Sequence, residues 1–149
     1  MRNIIYTTIT ALMLISCHKE SDLRKGGYIF SASASYFFEG EKFPVLIPPD
    51  TITLIDISDS SLIFFRREMN NWGQINEDKY ALKVLGNIVS GTLLGYEING
   101  ILVRSKTVSY INGELTFDAV HEHLCTDGIY TFPCDTLLQA MGTFTIAPL

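Results

Sequence analysis

An all-β, antiparallel fold is predicted by three features of this chain of 149 residues. Apolar and polar residues alternate with a period of two along most of it, as in strands with one buried face. Short polar or glycine-containing segments separate these stretches, as in hairpins. No segment of about ten or more residues combines helical periodicity with caps. We therefore expect a single antiparallel meander closing as a small barrel of about eight strands, with a two-sheet β-sandwich as the alternative.

The first strand is predicted at Gly27–Phe38, because alternate positions carry serines in its middle and so give the strand one wetter face. Glu39–Asp50 contains three prolines and is predicted to be a loop. The next two strands are expected at Thr51–Ile57 and Leu62–Arg66, because the polar segment Ser58–Ser61 between them is typical of a hairpin turn.

The middle of the chain contains a second long connection, Arg67–Lys79, in which Met69–Asp78 has the polarity of a loop or a single turn. Five further strands are predicted after it: Tyr80–Leu85, Thr92–Ile98, Ile101–Tyr110, Glu114–Leu124 and Thr136–Ile146. Their separators include Gly86-Asn87, Asn99-Gly100 and Asn112-Gly113. Asn-Gly pairs favour type I′ hairpin turns, so Thr92–Leu124 is expected to be a three-stranded meander. Sequential hairpins favour the barrel, and the two long connections leave the two-sheet sandwich as the alternative.

The beginning of the chain has a separate pattern. The apolar run Ile4–Ile15 is too short to span a bilayer but has the length of a signal-peptide core. It ends in Leu14-Ile15-Ser16-Cys17 and is followed at once by polar residues. This arrangement resembles the lipobox of bacterial lipoprotein signal peptides. The alternative is a buried first strand or helix of the folded domain.

The lipoprotein resemblance implies removal of residues 1–16 and lipidation of Cys17. Residues 17–26 are then a lipidated tether, and residues 27–149 form the β domain, which is attached to a membrane through its N-terminal lipid. His18, rather than Asp, follows the cysteine, which favours the outer membrane. Lys19-Glu20-Ser21-Asp22 is similar to the segment that directs Bacteroidetes lipoproteins to the cell surface. We therefore expect surface display, with the periplasmic face as the alternative.

The three cysteines fit an envelope location. With Cys17 assigned to the lipid, Cys125 and Cys134 remain as a pair in a compartment where disulfides persist. A disulfide between them would clamp a loop or the end of a hairpin and contribute about 2 to 3 kcal/mol. Two free buried thiols are the alternative.

Composition and motifs exclude several classes of function. The net charge is −5 and the basic residues are scattered, which argues against a nucleic-acid partner. The sequence contains no Gly-x-Ser-x-Gly elbow and no glycine-rich phosphate loop. We find no nucleophile with an identifiable base, and we expect no cofactor.

His121 and His123 form the strongest candidate metal site in the sequence. Two residues apart in a predicted strand, they point to the same face and could hold a zinc or copper ion. Asp118 and Asp127 are possible oxygen ligands. An exposed polar strand face is the alternative explanation.

Aromatic residues provide the second candidate site. Phe43 and Trp72 lie in the two predicted long connections, which could bring them to one end of the sheet structure. Exposed aromatic rings there can stack on sugars or bind a protein partner.

In size and strand rhythm the chain is similar to lipocalin-like lipoproteins. The Gly-x-Trp signature of lipocalins is absent, because Trp72 lies within the polar segment Asn70–Gly73, so no binding residue is carried over from that family. We expect a lipid-anchored, non-catalytic envelope module that binds a small apolar ligand, a glycan or a partner protein. The alternative is a metal-dependent hydrolase or metal carrier using His121 and His123.

Overall fold

The computed structural model describes residues 22–149, and the leader, Cys17 and the first part of the tether lie outside the described residues. The described chain folds into strands and turns, and none of its residues is helical. The strands are β1 (Gly26–Phe38), β2 (Glu41–Val45), β3 (Asp50–Ile57), β4 (Ser61–Met69), β5 (Ile75–Leu85), β6 (Ile88–Leu93), β7 (Tyr96–Arg104), β8 (Ser109–Thr126) and β9 (Thr131–Pro148).

The strands close into an antiparallel barrel, as predicted. Their order is β2-β1-β3-β4-β5-β6-β7-β8-β9, and β1 also pairs with β9, so eight strands form the barrel and β2 is an extra strand. β3 pairs with the first half of β1, and β2 pairs with its second half. The meander topology of the sequence prediction is therefore confirmed over the two-sheet sandwich.

The alternating strand directions give the barrel two distinct ends. We call one the base: it carries residues 22–25, the β3–β4, β5–β6 and β7–β8 turns, and the end of β9. The opposite end carries the β1–β2, β4–β5, β6–β7 and β8–β9 turns. At the base, Leu23 is buried in the core cluster, so this part of the predicted tether packs against the barrel.

The barrel interior is filled with side chains. Phe30 is fully buried and stacks on Tyr96 and Phe144, with ring centroids 5.7 Å and 5.9 Å away. Burying such a side chain contributes about 1.5 to 3 kcal/mol. The surrounding core residues, drawn from the seven other barrel strands, are Ile52, Leu54, Leu62, Phe64, Leu82, Val89, Leu93, Ile98, Leu102, Ile111, Leu115 and Ile146. The barrel is thus held by a packed core.

Both predicted Asn-Gly turns are wrong. Asn99-Gly100 lies within β7 and Asn112-Gly113 within β8, where the two glycines oppose each other across the strand pair. A Cβ at Gly113 would collide with the carbonyl oxygen of Asn99 and the Cα of Gly100. These glycines therefore permit a close approach of two backbones inside the barrel, which is a second use of glycine in strands.

Two predicted strands are divided by turns. The predicted strand Thr92–Ile98 contains a two-residue turn at Leu94-Gly95, with φ of 55° and 85°. Leucine is rare at positive φ, so propensity does not reveal this turn. The predicted strand Ile101–Tyr110 is interrupted between Arg104 and Ser109, where β7 ends and β8 begins. The predicted Gly86-Asn87 turn is confirmed between β5 and β6.

Both predicted long connections contain strand residues. Glu39–Asp50, predicted as a loop, includes β2, which tolerates Pro44 because it is an edge strand. Arg67–Lys79 is mostly β4 and β5, and only residues 70–74 connect them. This segment is polar because the β4–β5 hairpin extends beyond the neighbouring strands β3 and β6. In the extension, Arg67 lies opposite Glu77.

The β8–β9 hairpin projects from the barrel. Residues 117–126 and 131–140, which we call the arm, pair only with each other within residues 22–149, because β7 pairs with β8 as far as Thr116 and β1 pairs with β9 from Met141. The inner face of the arm continues the buried side of the barrel, and its outer face continues the barrel exterior. A projecting two-stranded ribbon is marginal by itself and needs further support.

Candidate functional site

Aromatic and histidine rings support the inner face of the arm. His121 lies at the centre of this ring cluster, and its ring centroid is 4.2 Å from that of Phe38 and 4.7 Å from that of Phe43. The hydroxyl of Tyr36 lies 2.9 Å from His121 Nδ1, within hydrogen-bond distance. Tyr36 also stacks on Phe43 at 5.5 Å. The β1–β2 hairpin therefore packs against the arm through these rings.

His121 and His123 share one face of β8, as predicted, but they have different partners. Their ring centroids are 5.7 Å apart. His123 Nε2 lies 3.5 Å from the Sγ atom of Cys125 and 3.2 Å from that of Cys134. Its Nδ1 lies 3.3 Å from the carbonyl oxygen of His121. His121 therefore belongs to the aromatic cluster, and His123 belongs to the cysteine pair.

Cys125 and Cys134 lie at disulfide distance, in agreement with the sequence prediction, and their Cα atoms are 5.9 Å apart. In the register of β8 and β9, His123 is opposite Cys134 and Cys125 is opposite Phe132, so the sulfur pair crosses the arm diagonally on its inner face. This cross-link ties the two arm strands together close to the turn.

One group of potential metal ligands is present among the described residues: His123, Cys125 and Cys134, whose donor atoms lie within 4.8 Å of one another. His121 is not part of this group. Asp118 lies on the outer face of the arm, and Asp127 lies in the β8–β9 turn. The structure therefore does not bring these two aspartates to the histidines.

Asp127 organises the β8–β9 turn. Its Oδ1 accepts hydrogen bonds from the amides of Ile129 and Tyr130, at 3.0 Å and 2.8 Å. These bonds stabilise the carboxylate and lower the pKa of Asp127 below the usual aspartate value, and the bond from Tyr130 has the largest effect. The carboxylate thus holds the tip of the arm closed.

Phe43 and Trp72 lie at the same end of the barrel, but in different surroundings. Phe43 is in β2 and packs into the ring cluster under the arm. Trp72 is in the β4–β5 turn and is 89% exposed. No ring contact in the described chain joins Phe43 to Trp72. The two candidate residues therefore share an end of the barrel, as predicted, but within the described residues their rings do not form one surface.

The outer face of the arm combines apolar and acidic side chains. Val120 and Leu137 are opposite each other and are 55% and 70% exposed, and Leu124 is 71% exposed. Glu122 and Asp135 lie directly opposite each other. Like charges in this position are unfavourable, and neither carboxylate forms an ion pair within residues 22–149.

A small pocket of about 400 Å³ lies at the base, between Leu23 and the β3–β4 and β5–β6 turns. Arg104 lines it and forms an ion pair with Asp22 at 3.2 Å. The pocket is therefore bounded by the segment that leads toward the predicted lipid anchor.

Sequence reasoning missed the partners of the histidines. Tyr36 and Phe38 share the inward parity of Tyr28 and Phe30, which indicates their face but not their contact with the arm. The His123-x-Cys125 spacing does place a nitrogen and a sulfur donor on one strand face. That spacing was the available signal for the group of donors at the arm.

Searches for related proteins found no matching family model, no matching curated protein and no matching solved structure. No helix among residues 22–149 has the length and hydropathy needed to cross a membrane.

Proposed function

We propose that this protein is a lipid-anchored, non-catalytic module of the bacterial cell envelope that binds a protein partner through the outer face of the arm. The observation that carries the proposal is the combination of exposed Val120, Leu124 and Leu137 with the carboxylates Glu122 and Asp135, which form no ion pair within residues 22–149. Such a face suits a partner surface with Lys or Arg beside apolar side chains, because contact would relieve the repulsion and cover the apolar area.

The positions of the two ends support this proposal. Residues 22–25 lie at the base, whereas the arm projects from the opposite end. The five-residue step from Cys17 to Asp22 spans at most about 18 Å. A lipid on Cys17 would therefore hold the base near the membrane and direct the arm away from it.

A partner protein is favoured over a small apolar ligand inside the barrel. Phe30, Phe64 and their neighbours fill the described interior, so an apolar ligand would have to displace core side chains. A glycan usually stacks on aromatic rings, and Trp72, the most exposed ring among residues 22–149, has no ring contact with another aromatic residue in that part of the chain.

The test uses photo-cross-linking in intact cells that express the native lipoprotein. A photoreactive residue at Leu137 or Leu124 on the arm is expected to give a discrete adduct, whereas the same residue at the exposed barrel position Lys83 gives none. Reversing both charges, with Glu122→Lys and Asp135→Lys, keeps the like-charge opposition within the arm but inverts its sign. We expect this double variant to lose the adduct, and high salt to weaken adduct formation.

The outcome that contradicts the proposal is no arm-specific adduct, or an adduct that survives charge reversal. An adduct of two copies of this chain, together with a concentration-dependent dimer in sedimentation, would replace the basic partner with self-association. Binding of purified protein to glycans that depends on Trp72 and not on the arm would transfer the function to the β4–β5 turn.

The anchor has its own test. Cys17→Ser is expected to move the protein from the membrane fraction to the soluble fraction. Mass spectrometry of the unaltered protein should find acyl chains on Cys17 as the first residue. An intact leader, or an unmodified amino terminus at another residue, would contradict the anchor and leave the arm-binding test unaffected.

A further inference from the structure

The inner face of the arm brings together three donors that suit a thiophilic metal ion. His123 Nε2 lies 3.5 Å from Cys125 Sγ and 3.2 Å from Cys134 Sγ. In a tetrahedral zinc site with usual bond lengths, a nitrogen and a sulfur ligand lie about 3.5 Å apart, and two sulfur ligands about 3.8 Å apart. Both nitrogen–sulfur distances are therefore close to those of a metal site, and only the two sulfurs are too close together.

The orientation of His123 provides a second, independent observation. A carbonyl oxygen only accepts hydrogen bonds, so the contact of Nδ1 with the carbonyl oxygen of His121, at 3.3 Å, places the proton on Nδ1. In the neutral ring, the lone pair of Nε2 then faces the two sulfurs. Disulfide sulfurs have no proton to donate, so the sulfurs become partners of this lone pair only as thiols or through a shared metal ion. An imidazole held through its other nitrogen is a common feature of metal sites.

We propose that reduction of the Cys125–Cys134 disulfide converts the arm into a site for one thiophilic cation such as Zn²⁺, bound by His123 and the two cysteines. A dithiol reductant supplies two electrons and two protons and becomes a disulfide, while the S–S bond breaks to give two thiols. Each thiol releases its proton as its bond to the metal forms. The fourth coordination position is left for water.

The site is distinct from the predicted His121–His123 pair. His121 Nδ1 is within hydrogen-bond distance of the Tyr36 hydroxyl, and His121 lies outside the group of converging donors. The contribution of His121 to the site is the carbonyl oxygen that orients His123, and a side-chain substitution at His121 retains that oxygen. His121→Gln is therefore a matched control for His123→Gln.

The site is also independent of the proposed partner surface. Its three ligands lie on the inner face of the arm, whereas Glu122 and Asp135 lie on the outer face. Failure of metal binding would leave partner binding unaffected, and the reverse also holds.

The experiment titrates Co²⁺ into the full-length protein in detergent, without a histidine tag and with Cys17→Ser, so that Cys125 and Cys134 are the only possible thiols. After treatment with a phosphine reductant, we expect one equivalent of Co²⁺ to bind with a sulfur-to-cobalt charge-transfer band and the visible bands of tetrahedral cobalt. Added Zn²⁺ should remove these bands. The oxidised protein should show none of them.

The variants separate the role of each ligand. His123→Gln is expected to weaken binding by at least tenfold. The double variant Cys125→Ser, Cys134→Ser should abolish the charge-transfer band, and His121→Gln should keep it. A far-ultraviolet spectrum unchanged from that of the parent protein establishes that each variant retains the barrel. Absence of the band in the reduced parent, equal affinity in His123→Gln, or the same band in the oxidised protein would each overturn the proposal.

Discussion

Single glycines determine how closely neighbouring strands of this barrel approach each other. Gly100 and Gly113 face each other between β7 and β8, and the ring of Phe144, directly opposite Gly113 on β9, covers the space. A side chain at Gly113 would meet rigid backbone atoms. At the residue scale, barrel geometry therefore depends on the absence of a Cβ.

We expect Gly113→Ala to lower the free energy of unfolding by about 1 to 3 kcal/mol, because the added methyl collides with the backbone of Asn99 and Gly100. Gly27→Ala is the control, since its Cβ would lie 2.7 Å from Cδ1 of Leu149, the flexible end of a side chain that can move. Urea unfolding measures both. Equal stability of the two variants would contradict the close-approach explanation.

A second residue-scale prediction concerns the pH dependence of the arm tip. The pKa of Asp127 is lowered by the hydrogen bonds from the amides of Tyr130 and Ile129. A lowered folded-state pKa means that the stabilisation is present above the unfolded pKa of about 3.9 and is lost as the pH falls through the folded value. Asp127→Ala should therefore increase amide exchange at Tyr130 at neutral pH, and this difference should vanish in acid.

Nuclear magnetic resonance gives a direct measurement of the same pKa. The side-chain carboxyl carbon of Asp127 should titrate with a midpoint below the usual aspartate value. A midpoint for Asp127 at or above the usual value would show that the turn does not hold the carboxylate.

At the scale of elements, the arm is a hairpin stabilised by two different devices. Near the barrel, Tyr36, Phe38 and Phe43 pack around His121, and near the turn the Cys125–Cys134 pair joins the strands. Neither device is part of the barrel core. We therefore expect the arm to open without unfolding of the barrel.

We expect replacement of both Cys125 and Cys134 by serine to lower amide protection within residues 117–126 and 131–140 by about 2 to 3 kcal/mol, which is the entropy term for a loop of this size. Protection in β6 and β7 should change little. Hydrogen exchange followed by mass spectrometry resolves the two regions. A uniform loss of protection over the whole chain would show that the arm and barrel unfold together.

Some elements of this fold were predictable from the sequence, and others were not. β1 and β3 were predictable because their alternation reflects one buried and one exposed face. The pairing of β7 with β8 was not predictable, because an Asn-Gly dipeptide has the same local preference in a hairpin turn and in two closely approaching strands. The β4–β5 extension was not predictable either, since a hairpin exposed on both faces has the composition of a loop.

For the candidate site, the sequence predicted the cysteine pair and the shared face of His121 and His123. It could not predict that the β1–β2 hairpin covers His121, because that contact joins residues 85 positions apart, as for Tyr36 and His121. It also could not distinguish the partners of the two imidazoles. Those partners depend on how the β1–β2 hairpin packs against the arm, which is a tertiary property.

At the scale of the whole molecule, stability should depend on the filled interior and not on the exposed aromatic residues. Phe30→Ala is expected to lower the free energy of unfolding by about 3 to 5 kcal/mol, because it leaves a cavity between Tyr96 and Phe144. Phe37→Ala is the matched control on the same strand, since Phe37 is 61% exposed. Thermal or urea unfolding compares the two.

The same packing leads to a ligand test. Fluorescent fatty-acid analogues should not bind saturably to the parent protein, because core side chains such as Phe30 and Phe64 fill the described interior. Saturable binding that is competed by fatty acid and lost on enlarging a core side chain such as Val89 would contradict the filled interior.

The contact between Gly27 and Leu149 makes a circular permutation of the chain feasible. The amide of Leu149 donates a hydrogen bond to the carbonyl oxygen of Gly27, 3.0 Å away, so a short glycine linker could join β9 directly to β1. New ends could then be opened at the Leu94-Gly95 turn, beside the arm. A circularly permuted version would carry a genetically fused reporter next to the arm while preserving every strand pairing.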